Sequence, residues 1–341
     1  MKPIDTISME LAQQRQNSLT KPPGSLGQLE AIAIQLAACQ GTSCPQIKQP
    51  WISVFAADHG ITEEGVSAFP AVVTQEMVKN FSAGGAAITV ISKQEKAYFE
   101  VVDVGVFNDV SPLPNLVSER VAPGSFNFAQ QPAMNQTMLA QAMQVGKNAV
   151  ARALSKGADL FIAGEMGIGN TSSAAVIISQ LCQLPLANLV GRGTGVNDEQ
   201  LLHKYKVLKA ALNLHQADMQ TPEDVLRCIG GLEIAALTGA YLECAREGLP
   251  MVVDGVIACA AALLAYEMQP AVKPWMLFGH QSIEPAQQAV FKHIDVTPIL
   301  DLEMRLGEGS GAAMALPIIR LACALHANMA TFEEAQVSDA H

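Results

Sequence analysis

Short, mainly apolar runs alternate with longer helical patterns from residue 51 onwards, and this alternation limits the possible fold more than any other feature. A strand that is apolar along its length is covered on both faces, as in parallel sheets flanked by helices. The pattern predicts strands over residues 51–57, 97–104, 160–163, 251–253 and 275–278. It predicts helices over residues 71–81, 138–155, 171–181, 198–214, 232–247, 256–268 and 284–292. We therefore expect an α/β fold with a doubly wound, mostly parallel sheet.

The two ends of the chain differ from its middle, because they have helical patterns without strands between them. Residues 7–19 are amphipathic, and Pro22-Pro23 ends that pattern because consecutive prolines cannot continue a helix. Ser25-Leu26-Gly27-Gln28 then has capping-box spacing, which predicts a second helix up to about Cys39. A last apolar helix is predicted over residues 311–327. The termini are thus predicted to form helices only.

A chain of 341 residues is long enough for one large domain with a smaller addition. We predict that the terminal helices join in a small helical domain of residues 1–40 and 311–341. Residues 41–310 are then expected to form the large α/β domain, which carries the active site.

The composition excludes several classes of function. A formal net charge of −11 opposes binding to nucleic acid, so any phosphate must be held by a few local donors. Gly, Pro or charged residues interrupt every apolar run before ~18 residues, so no membrane span is expected. The start, Met1-Lys2-Pro3-Ile4-Asp5, has no apolar signal core, and a cytoplasmic protein is predicted. The seven cysteines form no C-x-x-C pair and the histidines have no ligand spacing, so neither a metal nor a cofactor is expected.

Polar residues gather where four of the predicted strands end. The clusters are Asp58-His59-Gly60, the segment from Gly164 to Thr171, Asp254-Gly255, and Gly279-His280-Gln281-Ser282. Ligands of open α/β sheets bind beyond the carboxyl ends of the strands. The four clusters together therefore predict a ligand site at that edge.

The segment Gly164-Glu165-Met166-Gly167-Ile168-Gly169-Asn170-Thr171 has the features of a phosphate loop. Gly167 and Gly169 open the backbone, and Asn170, Thr171 and Ser172 are candidates to cap the following helix. Free amides at a helix N-terminus bind phosphate. No Gly-Lys-Ser/Thr follows, so this is not a Walker loop. An ordinary glycine-rich turn is the alternative that the residues leave open.

A second glycine-rich loop, Gly191-Arg192-Gly193-Thr194-Gly195, precedes Lys204 by one helical stretch. It lacks the third glycine and the strand-to-helix context of a dinucleotide fingerprint. A second phosphate or ribose contact fits the loop better. For Lys204 alone, a solvated helical face is the simpler interpretation.

Glu308 is an acid between glycines, in Leu306-Gly307-Glu308-Gly309-Ser310. Glycine lets the backbone approach a ligand closely, so this loop is a candidate hinge, helix cap or seat of a catalytic base. The Asp58-His59 pair suggests a charge relay, but no nucleophile elbow accompanies it. An acid at a strand end, Asp58 or Asp254, more commonly orders a loop.

These segments together resemble the nicotinate-nucleotide–dimethylbenzimidazole phosphoribosyltransferase family, which acts in assembly of the lower nucleotide loop of cobalamin. The resemblance covers nearly the whole chain. It rests on residues 21–27 (KPPGSLG), 57–60 (ADHG), 164–167 (GEMG) with Asn170-Thr171, 254–255 (DG) and 305–312 (RLGEGSGA). It implies a homodimer with a Rossmann-like large domain and a small helical domain. It also implies transfer of phosphoribose from β-nicotinate mononucleotide to 5,6-dimethylbenzimidazole, giving α-ribazole 5′-phosphate and nicotinate.

The resemblance assigns roles to individual residues of this chain. Glu308 corresponds to the catalytic base and Glu165 to a second active-site carboxylate. The phosphate and ribose region corresponds to Gly167, Gly169, Asn170, Thr171, Gly193, Thr194, Gly195 and Lys204. The base pocket corresponds to Phe69, Pro70, Met77, Met166 and Leu306. Phe69 and Met77 stand where some members carry serine and glutamine, which makes this pocket wall more apolar.

The implied chemistry suits these residues. The pyridinium leaving group is neutralised as it departs, so neither a general acid nor Mg²⁺ is required. A partly buried carboxylate has the basicity to take the proton of the attacking imidazole. Two other classes remain open on the sequence: a protein that senses the nucleotide or benzimidazole without turnover, and an NAD-linked oxidoreductase, which the missing fingerprint disfavours.

Overall fold

The computed structural model describes residues 1–193, 195 and 197–338. Within these residues, six parallel strands form one sheet in the order β3-β2-β1-β4-β5-β6. This is the strand order of doubly wound dinucleotide-binding folds, so the predicted fold class is confirmed. The strands are Pro50–Ala57 (β1), Tyr98–Gly105 (β2), Leu116–Ser118 (β3), Leu160–Met166 (β4), Met251–Val253 (β5) and Met276–Phe278 (β6).

The five predicted strands are present, and the differences from the prediction have local causes. The sequence pattern ends β4 at residue 163, but Gly164, Glu165 and Met166 continue to pair with β1. The edge strand β3 was not predicted because three partly exposed residues give no apolar run. A further parallel pair, His280–Gln281 (β7) and Leu300–Asp301 (β8), is too short to predict.

Helices cover both faces of the sheet. They are Thr6–Ser18 (α1), Gln28–Gln40 (α2), Val72–Ala83 (α3), Ala87–Gln94 (α4), Gln136–Ser155 (α5), Asn170–Cys182 (α6), Asp198–His215 (α7), Pro222–Ile229 (α8), Leu232–Glu247 (α9), Val256–Met268 (α10), Pro285–Ile294 (α11), Ser310–Met314 (α12), Leu316–Asn328 (α13) and Phe332–Ala335 (α14). The predicted helices agree with these apart from their ends, but α4, α8 and α14 were not predicted. The predicted last helix is two helices, because the chain turns at Ala315 before Pro317.

The predicted capping box at Ser25 is wrong. Helix α2 begins after Gly27, whose backbone φ is +56°, and no capping hydrogen bond from a described side chain is present there. The turn before α2 is held by the buried carboxylate of Glu30, which accepts the Leu26 amide at 3.0 Å. The same carboxylate lies 2.8 Å from the ammonium of Lys21. The prolines and glycines thus form a turn that Glu30 holds together.

Two hydrophobic cores lie on opposite faces of the sheet. Helices α5, α6, α9 and α10 pack on one face, and α2, α3, α12 and α13 cover the other. Helix α2 also packs against α1 and α13, which brings the two ends of the chain together. The domain boundaries at residues 40 and 311 stay a prediction.

One stretch of the described residues, Ser310–Asn328, is long and apolar enough to cross a membrane by length and composition. The sequence analysis expected no stretch long and apolar enough to cross a membrane, and that expectation is wrong by this criterion. The stretch comprises α12 and α13, and 56% of its apolar window is buried in the protein. Arg320, within it, donates to the Glu95 carboxylate at 2.7 Å. A buried core helix meets the same criterion.

Candidate active site

A cavity of about 440 Å³ opens at the carboxyl ends of β4 and β5. Its lining residues come from several separate segments of the chain: Phe69, Val73, Met77, Glu165, Met166, Gly167, Ile168, Asn170, Thr171, Gly193, Gly255, Val256, Ile257, His280, Ser282, Glu284, Arg305, Leu306, Gly307 and Glu308. Three of the four polar strand-end clusters thus border one cavity, as expected for a parallel sheet. The fourth, Asp58-His59-Gly60, does not line it.

Glu308 presents a buried carboxylate to this cavity. Its backbone has a φ of +65°, in the left-handed region, and the residue is 6% exposed. Oε2 is buried and has no hydrogen-bond partner among the described residues. Burial, followed by repulsion from Asp254, raises the pKa of Glu308 to about 7. A carboxyl group with this pKa can accept a proton near neutral pH.

Close contact with β4 fixes the turn that carries Glu308. A Cβ on Gly164 would lie 2.3 Å from the carbonyl oxygen of Glu308. Gly307 has a φ of +83°, and a Cβ there would lie 2.5 Å from Oε1 of Glu165. Residue 164 must therefore be glycine for close backbone packing, and glycine is favoured at residue 307 by its backbone conformation.

Asp254, rather than Glu308, caps helix α12. Its Oδ2 accepts the Gly309 amide at 3.1 Å and its Oδ1 accepts the Ala312 amide at 2.7 Å. Burial opposes ionisation of Asp254, but the nearby His280 and the amide hydrogen bonds outweigh it and lower the pKa of Asp254. The cap alternative for Glu308 is thus not supported by the contacts at this helix end.

Glu165 also faces the cavity, at the end of β4. It is 6% exposed, and the Asn170 side chain donates a hydrogen bond to its Oε2. Burial, and then the charges of Asp254 and Glu233, raise the pKa of Glu165 well above its usual value. Its surroundings therefore favour the neutral form of this carboxyl group more than in an ordinary glutamate.

The glycine-rich segment after β4 leads directly into α6. The N-cap is Gly169, with a φ of +102°, and no side chain among the described residues forms a capping hydrogen bond at this helix end. The predicted caps are therefore wrong: Asn170 binds Glu165, and Thr171 accepts a hydrogen bond from Lys204. A Cβ on Gly169 would lie 2.9 Å from the Thr62 side chain. The N-terminal end of α6 is left uncovered by side-chain caps beside the cavity.

Lys204 is buried on α7, which excludes the solvated-face interpretation. It is 1% exposed and its ammonium group donates to Thr171 Oγ1 at 2.9 Å. Burial lowers the pKa of Lys204 to about 8, against the opposing effect of the Glu284 carboxylate. The glycine loop lies beside this contact, since a Cβ on Gly193 would lie 2.8 Å from Thr171 Oγ1. One cation and two loops therefore meet at Thr171.

Some of the other predicted site residues line the cavity and others do not. Phe69, Met77, Met166 and Leu306 line the cavity, whereas the exposed Pro70 does not. Gly195 is exposed and outside the lining. The predicted contact at Thr194 lies outside the described residues.

Comparison of this chain with known proteins identifies relatives along nearly its full length, and they share one name. The family described as phosphoribosyltransferase matches residues 1–337. The nicotinate-nucleotide–dimethylbenzimidazole phosphoribosyltransferase of Pseudomonas putida strain W619 is 49% identical over 338 residues, which are 99% of this chain and 96% of that protein. The Azotobacter vinelandii protein of the same name is 49% identical over 340 residues, 99% of this chain and 97% of its own. The chain belongs to the phosphoribosyltransferase family.

A solved structure supports the same family at the level of the fold. The crystal structure of CobT from Thermus thermophilus has a TM-score of 0.93 and is 42% identical. The alignment covers 98% of this chain and 100% of that chain. The two proteins therefore share one architecture along nearly their full length.

In this phosphoribosyltransferase, the Asp58-His59 pair contacts a loop and buried side chains outside the cavity lining. Asp58 accepts the Phe107 amide at 2.7 Å, which orders a loop. His59 is fully buried; its Nε2 lies 2.5 Å from Glu233 Oε1 and its Nδ1 lies 3.3 Å from Ser173 Oγ. Glu233 and Ser173 were not recognised in the sequence, because both lie in helices far along the chain. Glu233 also packs against Gly167, where a Cβ would lie 3.0 Å from its carboxylate.

Four polar side chains that line the cavity were not predicted as site residues of this phosphoribosyltransferase: His280, Ser282, Glu284 and Arg305. His280 and Ser282 belong to a strand-end cluster that the sequence did indicate, so that signal was available. Arg305 precedes the Glu308 turn. Among the described residues, no group of three or more His, Cys, Asp or Glu side chains could hold a metal ion.

Proposed function

We propose that this enzyme transfers the 5-phosphoribosyl group from β-nicotinate mononucleotide to 5,6-dimethylbenzimidazole. The products are α-ribazole 5′-phosphate and nicotinate. Glu308 acts as the general base, and C1′ is inverted. The names of the similar proteins from Pseudomonas putida and Azotobacter vinelandii support these substrates.

The reaction requires one proton acceptor and no resident cofactor. An imidazole nitrogen of the incoming base attacks C1′ and forms the new C–N bond. The bond from C1′ to the pyridinium nitrogen breaks, and its electron pair neutralises the ring of departing nicotinate. The second imidazole nitrogen loses its proton to the carboxylate of Glu308. Attack from the face opposite the leaving group converts a β substrate into an α product.

The state of the Glu308 carboxylate carries the proposal. It is buried, its Oε2 has no partner among the described residues, and its pKa is raised to about 7. A base is most effective when its pKa lies near the working pH, because it is then both deprotonated and basic enough. The raised pKa of Glu308 meets that requirement. Its neighbour Glu165 is less suited, because its carboxylate already accepts a hydrogen bond from Asn170.

The nucleotide phosphate is proposed to bind where Lys204 meets Thr171. The buried ammonium donates to Thr171 at 2.9 Å, and Gly193 lies against the same hydroxyl. The N-terminal end of α6 supplies main-chain amides and a favourable dipole at this point. A dianionic phosphate would favour the charged form of Lys204, whose pKa burial lowers to about 8.

The flat base is proposed to bind between apolar side chains on the other side of Glu308. Phe69 and Met77 come from the β1–α3 region, Met166 from the end of β4, and Leu306 from the Glu308 loop. Gly307, which has no side chain, leaves room beside them. An aromatic ring bound in this slot would lie next to the carboxylate proposed to take its proton.

Glu165 has two proposed roles that remain alternatives. A carboxylate there would stabilise positive charge on the ribosyl carbon. A neutral carboxyl group would order the phosphate loop through Asn170. The raised pKa supports the second role in the unliganded enzyme.

A direct assay tests the proposed function. The purified protein is incubated with β-nicotinate mononucleotide and 5,6-dimethylbenzimidazole, and the products are separated by chromatography. We expect equal amounts of nicotinate and α-ribazole 5′-phosphate, with NMR showing the α configuration. Intact binding of both compounds without product would support the sensor interpretation instead.

We also propose that the enzyme is a cytoplasmic homodimer. Exposed aliphatic side chains on α1 and α13 support an interface: Ile7 is 70% exposed, and Leu11 and Leu321 are each 48% exposed. Light scattering coupled to size exclusion tests the dimer, since a monomer at micromolar concentration would contradict it. Cell fractionation tests the location.

A further inference from the structure

One buried carboxylate holds the Glu308 turn from behind. Asp254 is 1% exposed at the end of β5. It accepts the amide of Gly309, the residue directly after Glu308, and the amide of Ala312 one helical turn later. Because both bonds end on the same carboxylate, the position of Asp254 determines where the Glu308 backbone lies.

His280 forms the other half of this support. Its Nε2 lies 3.5 Å from Asp254 Oδ1, and the imidazole is almost fully buried. Neither ring nitrogen makes a hydrogen bond to a described residue. Gly311 makes room for the ring, since a Cβ there would lie 1.9 Å from His280 Cδ2. The pair therefore connects β5, β7 and the start of α12.

The same pair determines the charge that Glu308 faces. Asp254 faces it from β5, Glu165 from β4 and His280 from β7, and Arg305 stands on the same loop. Of these, Glu165 has a raised pKa, which favours its neutral form, whereas His280 and the amides lower the pKa of Asp254 and favour its charged form. A fixed negative charge thus lies next to the carboxylate that must accept a proton.

We infer that Asp254, held by His280, is a positioning residue for phosphoribosyl transfer, which fixes both the place of the Glu308 carboxylate and the negative charge beside it. This inference rests on the proposed function, in which Glu308 is the base. Asp254 itself is not required to touch either substrate.

The variant Asp254→Asn tests the inference, because it removes the charge and one of the two amide acceptors. We expect kcat to fall about 10- to 100-fold while KM for both substrates changes by less than about 3-fold. Losing the negative charge lowers the pKa of Glu308. The acid limb of the profile of kcat/KM against pH should therefore move down by about one pH unit.

Asp58→Asn is the matched control. Asp58 is another buried aspartate at a strand end that accepts a backbone amide. Its replacement should lower the melting temperature without moving the acid limb. A purely structural role of Asp254 would give the same result as this control, and that outcome would overturn the inference.

His280→Asn keeps the test decisive if Asp254→Asn does not fold. It leaves both amide bonds of Asp254 in place and removes the side chain that lowers the pKa of Asp254. The negative charge beside Glu308 is then weakened, so the acid limb should move to lower pH, as in Asp254→Asn. An unmoved limb would overturn the inference. The proposed function is judged separately, because Glu308→Gln should abolish the acid limb whether or not Asp254 affects it.

Discussion

The main chain of Gly164 lies directly against the carbonyl of Glu308, so that a Cβ on residue 164 would lie 2.3 Å from that oxygen. We expect Gly164→Ala to push the Glu308 turn away from β4 and to lower kcat about 10²-fold, since small displacements of a catalytic group have effects of this size. Steady-state kinetics on the folded protein measures the loss.

Gly146→Ala is the control for Gly164→Ala. Gly146 lies between α5 and α9, where a Cβ would be 1.9 Å from the Ala236 carbonyl oxygen. Both variants should be destabilised, but only Gly164→Ala should lose turnover in the folded fraction. Equal kcat values would show that the contact does not position Glu308.

Removing the proton acceptor should stop the chemistry and leave binding intact. Glu308→Gln is expected to lower kcat roughly 10²–10⁴-fold with little change in KM, because general-base catalysis is lost while the shape of the side chain is kept. Glu303→Gln, an exposed acid in the same loop, is the control and should retain full turnover. Near-normal kcat in Glu308→Gln would rule out the general-base role.

The raised pKa of Glu308 also predicts a change in stability with pH. A carboxyl group with a pKa of about 7 in the folded protein binds its proton more tightly than in the unfolded chain, where the usual value is 4.5. Its contribution to stability is therefore complete below pH 4.5, falls as the pH rises, and is lost above about 7. Glu308→Gln should raise the melting temperature relative to the wild type more at pH 8 than at pH 4. A constant difference by calorimetry would contradict the raised pKa.

Lys204 is predicted to bind phosphate and not only to stabilise α7. Lys204→Gln should raise KM for the nucleotide about 10- to 100-fold, which is the range for a hydrogen bond to a charged group. KM for the benzimidazole should change little. The exposed Lys206, on the same helix, provides the control variant Lys206→Gln. An equal rise of both KM values for Lys204→Gln would point to a general loss of structure.

The two roles of Glu165 make different kinetic predictions. If a neutral Glu165 orders the loop through Asn170, Glu165→Gln should preserve kcat within about 5-fold, because glutamine retains hydrogen-bonding groups. Asn170→Ala should then be the more harmful variant, mainly through KM for the nucleotide. If Glu165 stabilises the ribosyl cation, Glu165→Gln should lower kcat by about 10²-fold or more, as removal of an electrostatic group does.

Much of the fold could be predicted from local pattern. Residues 50–57 are apolar apart from Ser53 and buried throughout, so the sequence indicated a covered parallel strand before any contact was known. The helices Leu232–Glu247 and Val256–Met268 were predicted at their observed bounds because their patterns are long. The three residues of β5 are apolar and fully buried and were predicted, whereas β3 and β7 are short and partly exposed, so they show neither an apolar run nor a period.

The order of amino acids is enough to show which strand ends carry polar residues and that Glu308 stands between glycines. What those residues do depends on how distant segments pack together. Asp254 accepts the amide of Gly309, which lies 55 positions further along the chain. This contact shows that Asp254, and not Glu308, caps helix α12. Lys204 is buried against Thr171 and not solvated. The pKa of Glu308 likewise depends on burial and on a neighbouring charge, and both arise only when distant segments are packed together.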